Sequence, residues 1–514
     1  MSTFHGLEMA KQALFAQQSA LYTTGHNIAN ANTEGYTRQR VNFETTSPFP
    51  TASRNRPEIP GQMGTGVEVG TVQRIRNKFL DYQFRTENSK AGYWQTKADS
   101  IAHMESLMNE PSENGLAKTM DQFWQSLQDL SVNPKNSGAR SVVAQRGQAV
   151  AESFNYLSSS LSSMRTDIKK QIDVTVKDAN SILSQVNEIN KQIQQIEPHG
   201  YLANDLYDER DRLIDELSGI VNIKVTYTKS GESSPAIADG LATIELVNDK
   251  GKGLGINLVA GEAGEFTELK VNYSGDTNKG RAVSSITVGG QAIQPEDFTS
   301  NGSLKGFIES YGYEDADGSI KGTYPDMIAN LDKMAFEFAE AFNDAHNDGQ
   351  DLEGNIGGKF FVGAGNPAAT TPEEEYFGAA ASIKVASAVL GDPDLIAASG
   401  NGDLGSGTNA NKLADVFENP LDGLGENTSV KTFYESLIGE LGVNAQEANR
   451  MAGNTVILKS QVENQRMSVS SVSLDEEMSN MIKYQHAYNA AARSLTAVDE
   501  LLDRIINNMG LVGR

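Results

Sequence analysis

Two apolar stripes of the same seven-residue period, one at each end of the chain, constrain this sequence more than any other feature. Leu7, Leu14, Leu21 and Ile28 recur every seven residues, with Ala10, Ala13 and Ala20 beside them. Side chains at that spacing line up on one face of a helix. At the far end Leu474, Met481, Tyr488, Leu495, Leu502 and Met509 repeat the spacing, flanked by Met478, Ala491, Ala492, Val498 and Ile505. Both ends are therefore expected to be coiled-coil helices. Ser473 and Glu476 stand at capping-box spacing ahead of the second, and Asp475 to Glu477 put negative charge at its amino end. Gly510 supplies its stop.

A helix this long is marginal in water unless something covers its stripe. Each fully buried stripe side chain contributes roughly 1.5 to 3 kcal/mol, so the two stripes are expected to pack. Yet the amino-terminal one spans only about four heptads and cannot cover the other. Leu7, Leu14, Leu21, Ile28, Leu474, Met481, Tyr488, Leu495 and Leu502 are accordingly expected to be subunit-packing residues. Their apolar edges would be fully hidden only when copies of the chain stack.

A third helical pattern joins Ile168, Ile172, Thr175, Ala179, Ile182, Val186, Ile189, Ile193 and Ile196, and ends at Glu197-Pro198-His199-Gly200. Shorter amphipathic stretches cover 103–108, 123–130 and 142–164. A plain helical-bundle core explains these equally well. From Ile220 the texture changes to alternating runs, IVNIKVTY, LATIELV, ELKVNYS and AVSSITVGG, broken by Gly, Asp, Asn and Ser. A helix is expected from Pro325 to Asn347, a weakly patterned mixed segment from Gly349 to Glu426, and helix again from Ser429.

The expected fold is mainly α with inserted β-rich domains: long terminal coiled-coil helices, a helical shaft and β-rich outer lobes. The divisions are a terminal coiled-coil domain (1–45 and 470–514), a helical shaft (46–222 with 322–347 and 429–469), a β-rich outer domain (223–321) and a mixed outer segment (348–428). A chain of 514 residues far exceeds one ordinary core.

The chemistry of the sequence points away from catalysis. The chain has no cysteine, which removes disulfides, thiolate metal sites and cysteine nucleophiles together. His5, His26, His103, His199, His346 and His486 are scattered singly, each expected to be a surface or core residue. Neither a GxSxG elbow nor a phosphate-binding GxxxxGK[ST] loop occurs. Asp315-Ala316-Asp317-Gly318 resembles half a calcium loop, but Tyr313 and Tyr324 occupy its first and last ligand positions, and an ordinary acidic turn is expected. No catalytic residue, cofactor or metal is expected. A net charge of −24 repels phosphate backbones and anionic lipid, so neither nucleic acid nor membrane insertion is expected. The start, MSTFHGLEMAKQ, has no Sec-type pattern.

The first stripe runs into NIANANTEGYTRQR, from Asn27 to Arg40. Asn27, Asn30 and Asn32 are able to cap carbonyls and Gly35 to take positive φ, so a sharp exit from the helix is expected. A bare helix stop would need no more. The segment resembles the signature of bacterial flagellar rod, hook and hook-associated proteins, an Asn-rich turn followed by Thr-x-Gly-Tyr/Phe. Its continuation through Tyr36, Arg38 and Gln39, the NDLYDERDRLIDELS block at 204–218 and SVSLDEEMSNMIKYQHAYNAAAR at 471–493 resemble the first hook-associated protein group in particular. An exposed helix laced with charge pairs is the plainer account of 204–218.

The resemblance implies a non-enzymatic adapter at the hook-filament junction, secreted unfolded through the flagellar type III apparatus and functioning in the extracellular flagellum. It implies contacts with copies of itself, with hook protein, with the next hook-associated junction protein and with a cytoplasmic export chaperone holding the C-terminal helix. A rod or hook subunit, or a secreted adhesin, are the alternatives.

Overall fold

The computed structural model describes residues 4–50, 54, 61–108, 115–274, 281–366, 369, 371–403 and 405–508. Met509 and Gly510 lie outside them. The two ends of the chain form one helical pair. Helix α1 (His5–Ala29) and the last helix, α13 (Leu474–Asn508), run antiparallel, with Gly6 beside Val498 and Asn27 beside Glu477. A hairpin of β1 (Gln39–Thr45) and β2 (Val67–Arg74) lies against α1 and sets Phe43 edge-on to Tyr484.

The shaft contains α2 (Lys78–Met108), α3 (Leu116–Val132), α4 (Ser137–Ile196), α5 (Asn204–Ile220) and α12 (Val430–Ser470). The separate stretches expected at 142–164 and 168–196 are one helix of 60 residues, about 90 Å at 1.5 Å per residue. Nothing between them breaks a helix: Arg165, Thr166 and Asp167 only interrupt the apolar stripe. Asn136 caps its start, accepting the Gly138 and Ala139 amides. Helices α2 and α5 cross where Gly92 meets the Gly219 carbonyl, which a Cβ on Gly92 would approach to 2.2 Å.

The β-rich region holds two sheets. One orders β3 (Ile223–Thr228), β4 (Leu241–Val247), β5 (Gly253–Ala260) and β6 (Glu265–Phe266) antiparallel. The other pairs β7 (Leu269–Tyr273) with β8 (Val283–Val288), with β9 (Gln291–Ile293), β10 (Tyr313–Glu314) and β11 (Ile320–Lys321) completing it. Three asparagines of α4 hold these sheets by their main chain. Asn180 exchanges two hydrogen bonds with Leu269, Asn190 does the same with Ala242, and Asn187 donates to Gly264 O. Helix α6 (Ser303–Tyr311) follows, a helix the sequence pattern did not single out.

Helix α7 (Thr323–Asn347) begins two residues before the expected Pro325. The segment beyond it contains β12 (Phe361–Val362), β13 (Lys384–Val385), α8 (Pro372–Tyr376), α9 (Ala379–Ser382), α10 (Ser387–Gly391) and α11 (Thr408–Asp415). Its core is shared with the shaft. Phe123 of α3, Phe338 and Phe342 of α7, and Phe360, Phe361 and Phe417 form one cluster, with ring centroids 4.9 to 6.1 Å apart. The Asp315 turn is closed by its own chain: Asp315 Oδ1 accepts the Asp317 and Ser319 amides and Oδ2 pairs with Lys321.

Candidate functional site

The polypeptide from Asn27 to Gln39 ties the terminal helix pair to the shaft, and it does so through buried polar groups. Asn27, only 1% exposed, accepts from the Gln39 amide (3.0 Å) and the Tyr36 hydroxyl (2.8 Å). It donates to Gln39 O (2.8 Å) and to Glu477 on α13 (3.1 Å). Arg38 reaches the same Glu477 with Nε at 2.7 Å and Glu476 with Nη1 at 2.6 Å. The Arg38 amide donates to Ser470 O at the end of α12, and Arg38 O accepts from the Ile75 amide. One residue thus fastens α13, α12 and the strand leading to α2. Burial, then Asp208, Asp205 and Glu477, push the Tyr36 hydroxyl above its usual range, so it remains a donor.

On the shaft side the ligands come from one face of α5. Gln39 bonds Asp205 and Asn204, and the Thr37 amide donates to Asp208 at 3.1 Å. Asp208, Asp211 and Asp215, three and four residues apart, share a helix face. Arg74 donates to Asp208 at 2.7 Å and Asp211 at 3.1 Å, and also pairs with Asp239. Arg76 joins Asp81 and Asp211, Arg85 joins Asp215 and Asp211, and Arg466 of α12 reaches Asp215. Burial raises the Asp211 carboxyl, but Arg76, Arg74, Arg85 and Arg210 outweigh it and hold it well below the usual carboxylate range. The plainer account of 204–218 is therefore overturned for this face. Only the Arg212 pairs with Glu209 and Glu216 are exposed helix pairs.

The expected motif residues fare differently. Asn30 caps its helix by donating to His26 O, and Gly35 has φ of 80°. Asn27 is the centre of the joint and meets the Gln39 carbonyl across the turn, not one at the end of its own helix, and Asn32 is exposed. Glu476 completes only half a capping box. Its amide lies 3.5 Å from Ser473 Oγ, while its carboxylate turns to Arg38. The stripe residues Leu7, Leu14, Leu21, Ile28, Met481, Tyr488 and Leu495 are half-buried in the α1–α13 pair, Leu502 is buried and Leu474 is exposed. The two stripes pack on each other within the chain, and the pairing covers them only in part. An apolar remainder persists: Phe4 just before α1, Phe15 and Tyr22 on α1, and Met478, Ile482, Leu501, Ile505 and Ile506 on α13, are exposed. Among the described residues no group of His, Asp and Glu is placed to hold a metal, and no helix is long and apolar enough to cross a membrane.

Aligned end to end, this chain is 51% identical over 514 residues to flagellar hook-associated protein 1 of Bacillus subtilis (strain 168), covering all of both sequences. The chain belongs to the flagellar hook-associated protein 1 family. The Escherichia coli (strain K12) member is 25% identical over 97% of this chain and 98% of its own length. Residues 101–361 match the family model described as flagellar hook-associated protein FlgK helical domain. Residues 7–37 match flagella basal body rod protein, and 463–509 match flagellar basal body rod FlgEFG protein C-terminal. The fold is similar to the flagellar hook junction protein FlgK from Burkholderia pseudomallei, with a TM-score of 0.58, 14% identity, and coverage of 76% of this chain and all of that one. For this hook-associated protein 1 member, sequence reasoning found Asn27, Tyr36, Arg38 and Gln39 but missed Arg74, Arg76, Arg85, Arg466 and Glu477 as partners. The three carboxylates on one face of α5 were the available signal.

Proposed function

We infer that the chain is a structural adapter subunit at the flagellar hook-filament junction, self-assembling through its terminal helices after export in unfolded form. The observation that carries this is the full-length relationship to hook-associated protein 1. The exposed apolar remainder on α1 and α13 supports it, since patches of that kind mark contact surfaces. On this account the terminal pair, 1–45 with 470–514, forms the inner layer, the shaft the next, and the regions 223–321 and 348–428 face outward. Its partners are copies of itself, hook protein on one side, the next hook-associated junction protein on the other, and, before export, a cytoplasmic chaperone on the C-terminal helix and the flagellar type III apparatus. The working location is the extracellular flagellum, and the role is mechanical and not enzymatic.

Deleting the gene and imaging the cells by electron microscopy tests this. Cells that keep a hook, lose the filament and shed filament protein into the medium are the expected result. Loss of the hook itself would make the chain a rod or hook subunit instead.

A further inference from the structure

Residues 394–399 cross the mixed outer region as a strap whose ends are fixed by main-chain bonds, Leu352 N to Asp394 O, a two-way pair between Gln350 and Ser399, and the Asn409 and Ala410 amides to Ala398 O, and whose middle is gripped by three side chains from three helices. Arg140 of α4 donates to Asp394 O (3.1 Å) and Ile396 O (2.6 Å). Asn409 of α11 donates to Ala397 O (2.7 Å). The third is His346, in the last turn of α7 and fully buried. Its Nδ1 lies 2.6 Å from Gly358 O and its Nε2 2.9 Å from the Ala397 amide nitrogen. A carbonyl only accepts and an amide N–H only donates, so Nδ1 carries the proton and Nε2 the lone pair. A second proton on Nε2 would point at the Ala397 N–H. The charged groups facing the ring are Asp351 and Arg140, and its other neighbour is the Phe360 ring. Arginine stays charged and asparagine does not titrate, so among the three side chains only His346 changes state near neutral pH.

We propose that His346 is an acid-sensitive latch: protonation at Nε2 turns the acceptor for Ala397 into a donor, frees the middle of the 394–399 strap from α7 while the main-chain bonds at Asp394 and Ser399 hold its ends, and loosens the apolar edge that Ile396 and Ala398 now close. Burial supports this by pushing the ring below its ordinary 6.5, with Arg140 adding to the push and the Gly358 bond and Asp351 opposing it. With the middle of the strap freed the ring titrates as an ordinary histidine. The open fraction therefore grows below about pH 6.5, approaching about tenfold per pH unit, until the closed form is itself protonated. Asp332, on the same helix, acts elsewhere and with opposite sign. Its carboxylate accepts the Gly378 and Ala380 amides, and burial raises it to about 6, so acid removes the cost of burying its charge.

Hydrogen exchange of the full chain, read as protection factors corrected for intrinsic rates at each pH, tests the latch. Peptides over 394–399 should lose about fivefold in protection from about pH 6.5 to 5.5 and about tenfold over the next unit, while those over 168–193 of α4 hold theirs. His346→Gln should flatten the profile. A flat wild-type profile, an equal loss in α4, or an unchanged slope in His346→Gln would each overturn the proposal. If the variant does not hold the strap at any pH, the wild-type ring is followed with a 13Cε1-histidine label. A folded-state pKa well below 6.5 supports the latch, and an ordinary one refutes it.

Discussion

Replacing Glu477 by leucine should loosen the terminal helix pair while leaving the shaft intact, and the size of the effect follows from its surroundings. Glu477 is 2% exposed and receives Arg38 Nε at 2.7 Å and Asn27 Nδ2 at 3.1 Å. Breaking a fully buried ion pair by removing one partner costs about 3 to 5 kcal/mol. Arg38, however, has a side chain 19% exposed and retains Glu476, itself 62% exposed, a surface pair worth about 0 to 1 kcal/mol. We therefore expect about 2 kcal/mol, which raises the population of detached α13 roughly thirtyfold. Hydrogen exchange of the purified chain reads this as lost protection over 474–500, with α4 unchanged. A double-mutant cycle with Arg38→Met isolates the pair: the double variant should be less damaged than the two single effects combined, by about 1 kcal/mol or more. Strict additivity, or equal loss of protection in α4, would refute the reasoning that this contact holds α13 to the amino-terminal segment.

Asp211→Asn leaves Arg74, Arg76 and Arg85 short of a shared counter-charge and should destabilise the shaft by about 3 kcal/mol in denaturant titrations. Because the folded-state pKa of Asp211 is depressed, its contribution should be intact above the ordinary 3.8 and fade only as pH falls below it; an acid titration of shaft unfolding checks the sign. Gly92→Ala forces a Cβ against the Gly219 carbonyl and should cost about 1 to 3 kcal/mol, visible as a lower denaturation midpoint. For Asp332, raised to about 6, stability should fall as pH rises from about 4 to 6, by roughly 3 kcal/mol at 1.36 kcal/mol per unit. Asp332→Asn should flatten that slope in melts at several pH values. Leu495→Asp places a charge in the α1–α13 seam and should abolish filament formation on the cell, while circular dichroism of the purified chain still reports folded β sheet.

The period of the terminal stripes was legible because each helix buries a face repeatedly, and a pattern repeated over several turns survives local noise. The strands at 223–228, 241–247, 269–273 and 283–288 were legible for the same reason, through alternation. The segment after Asn347 was not. Its core is completed by residues outside it, Phe123 of distant α3 and Phe338 and Phe342 of the preceding α7, so its own residues carry too few apolar positions to show a period. The joint at Asn27 to Gln39 was half legible. Its turn chemistry is local, whereas the bond from Asn27 to Glu477 spans 450 positions and the Arg38 pair with Glu477 spans 439. Length hid α4 as well, since a face that turns with depth along the rod changes partners midway, from the phenylalanine cluster to the sheets.

The asparagines at 180, 187 and 190 of α4 have a consequence for how this protein is able to diverge. They recognise peptide groups of Leu269, Gly264 and Ala242 and not side chains, and a peptide group is the same whichever residue carries it. The face of each sheet turned away from α4 is therefore at liberty to be rewritten by mutation while its suspension from the rod stays unaltered, because the anchoring bonds ask nothing of the side chains.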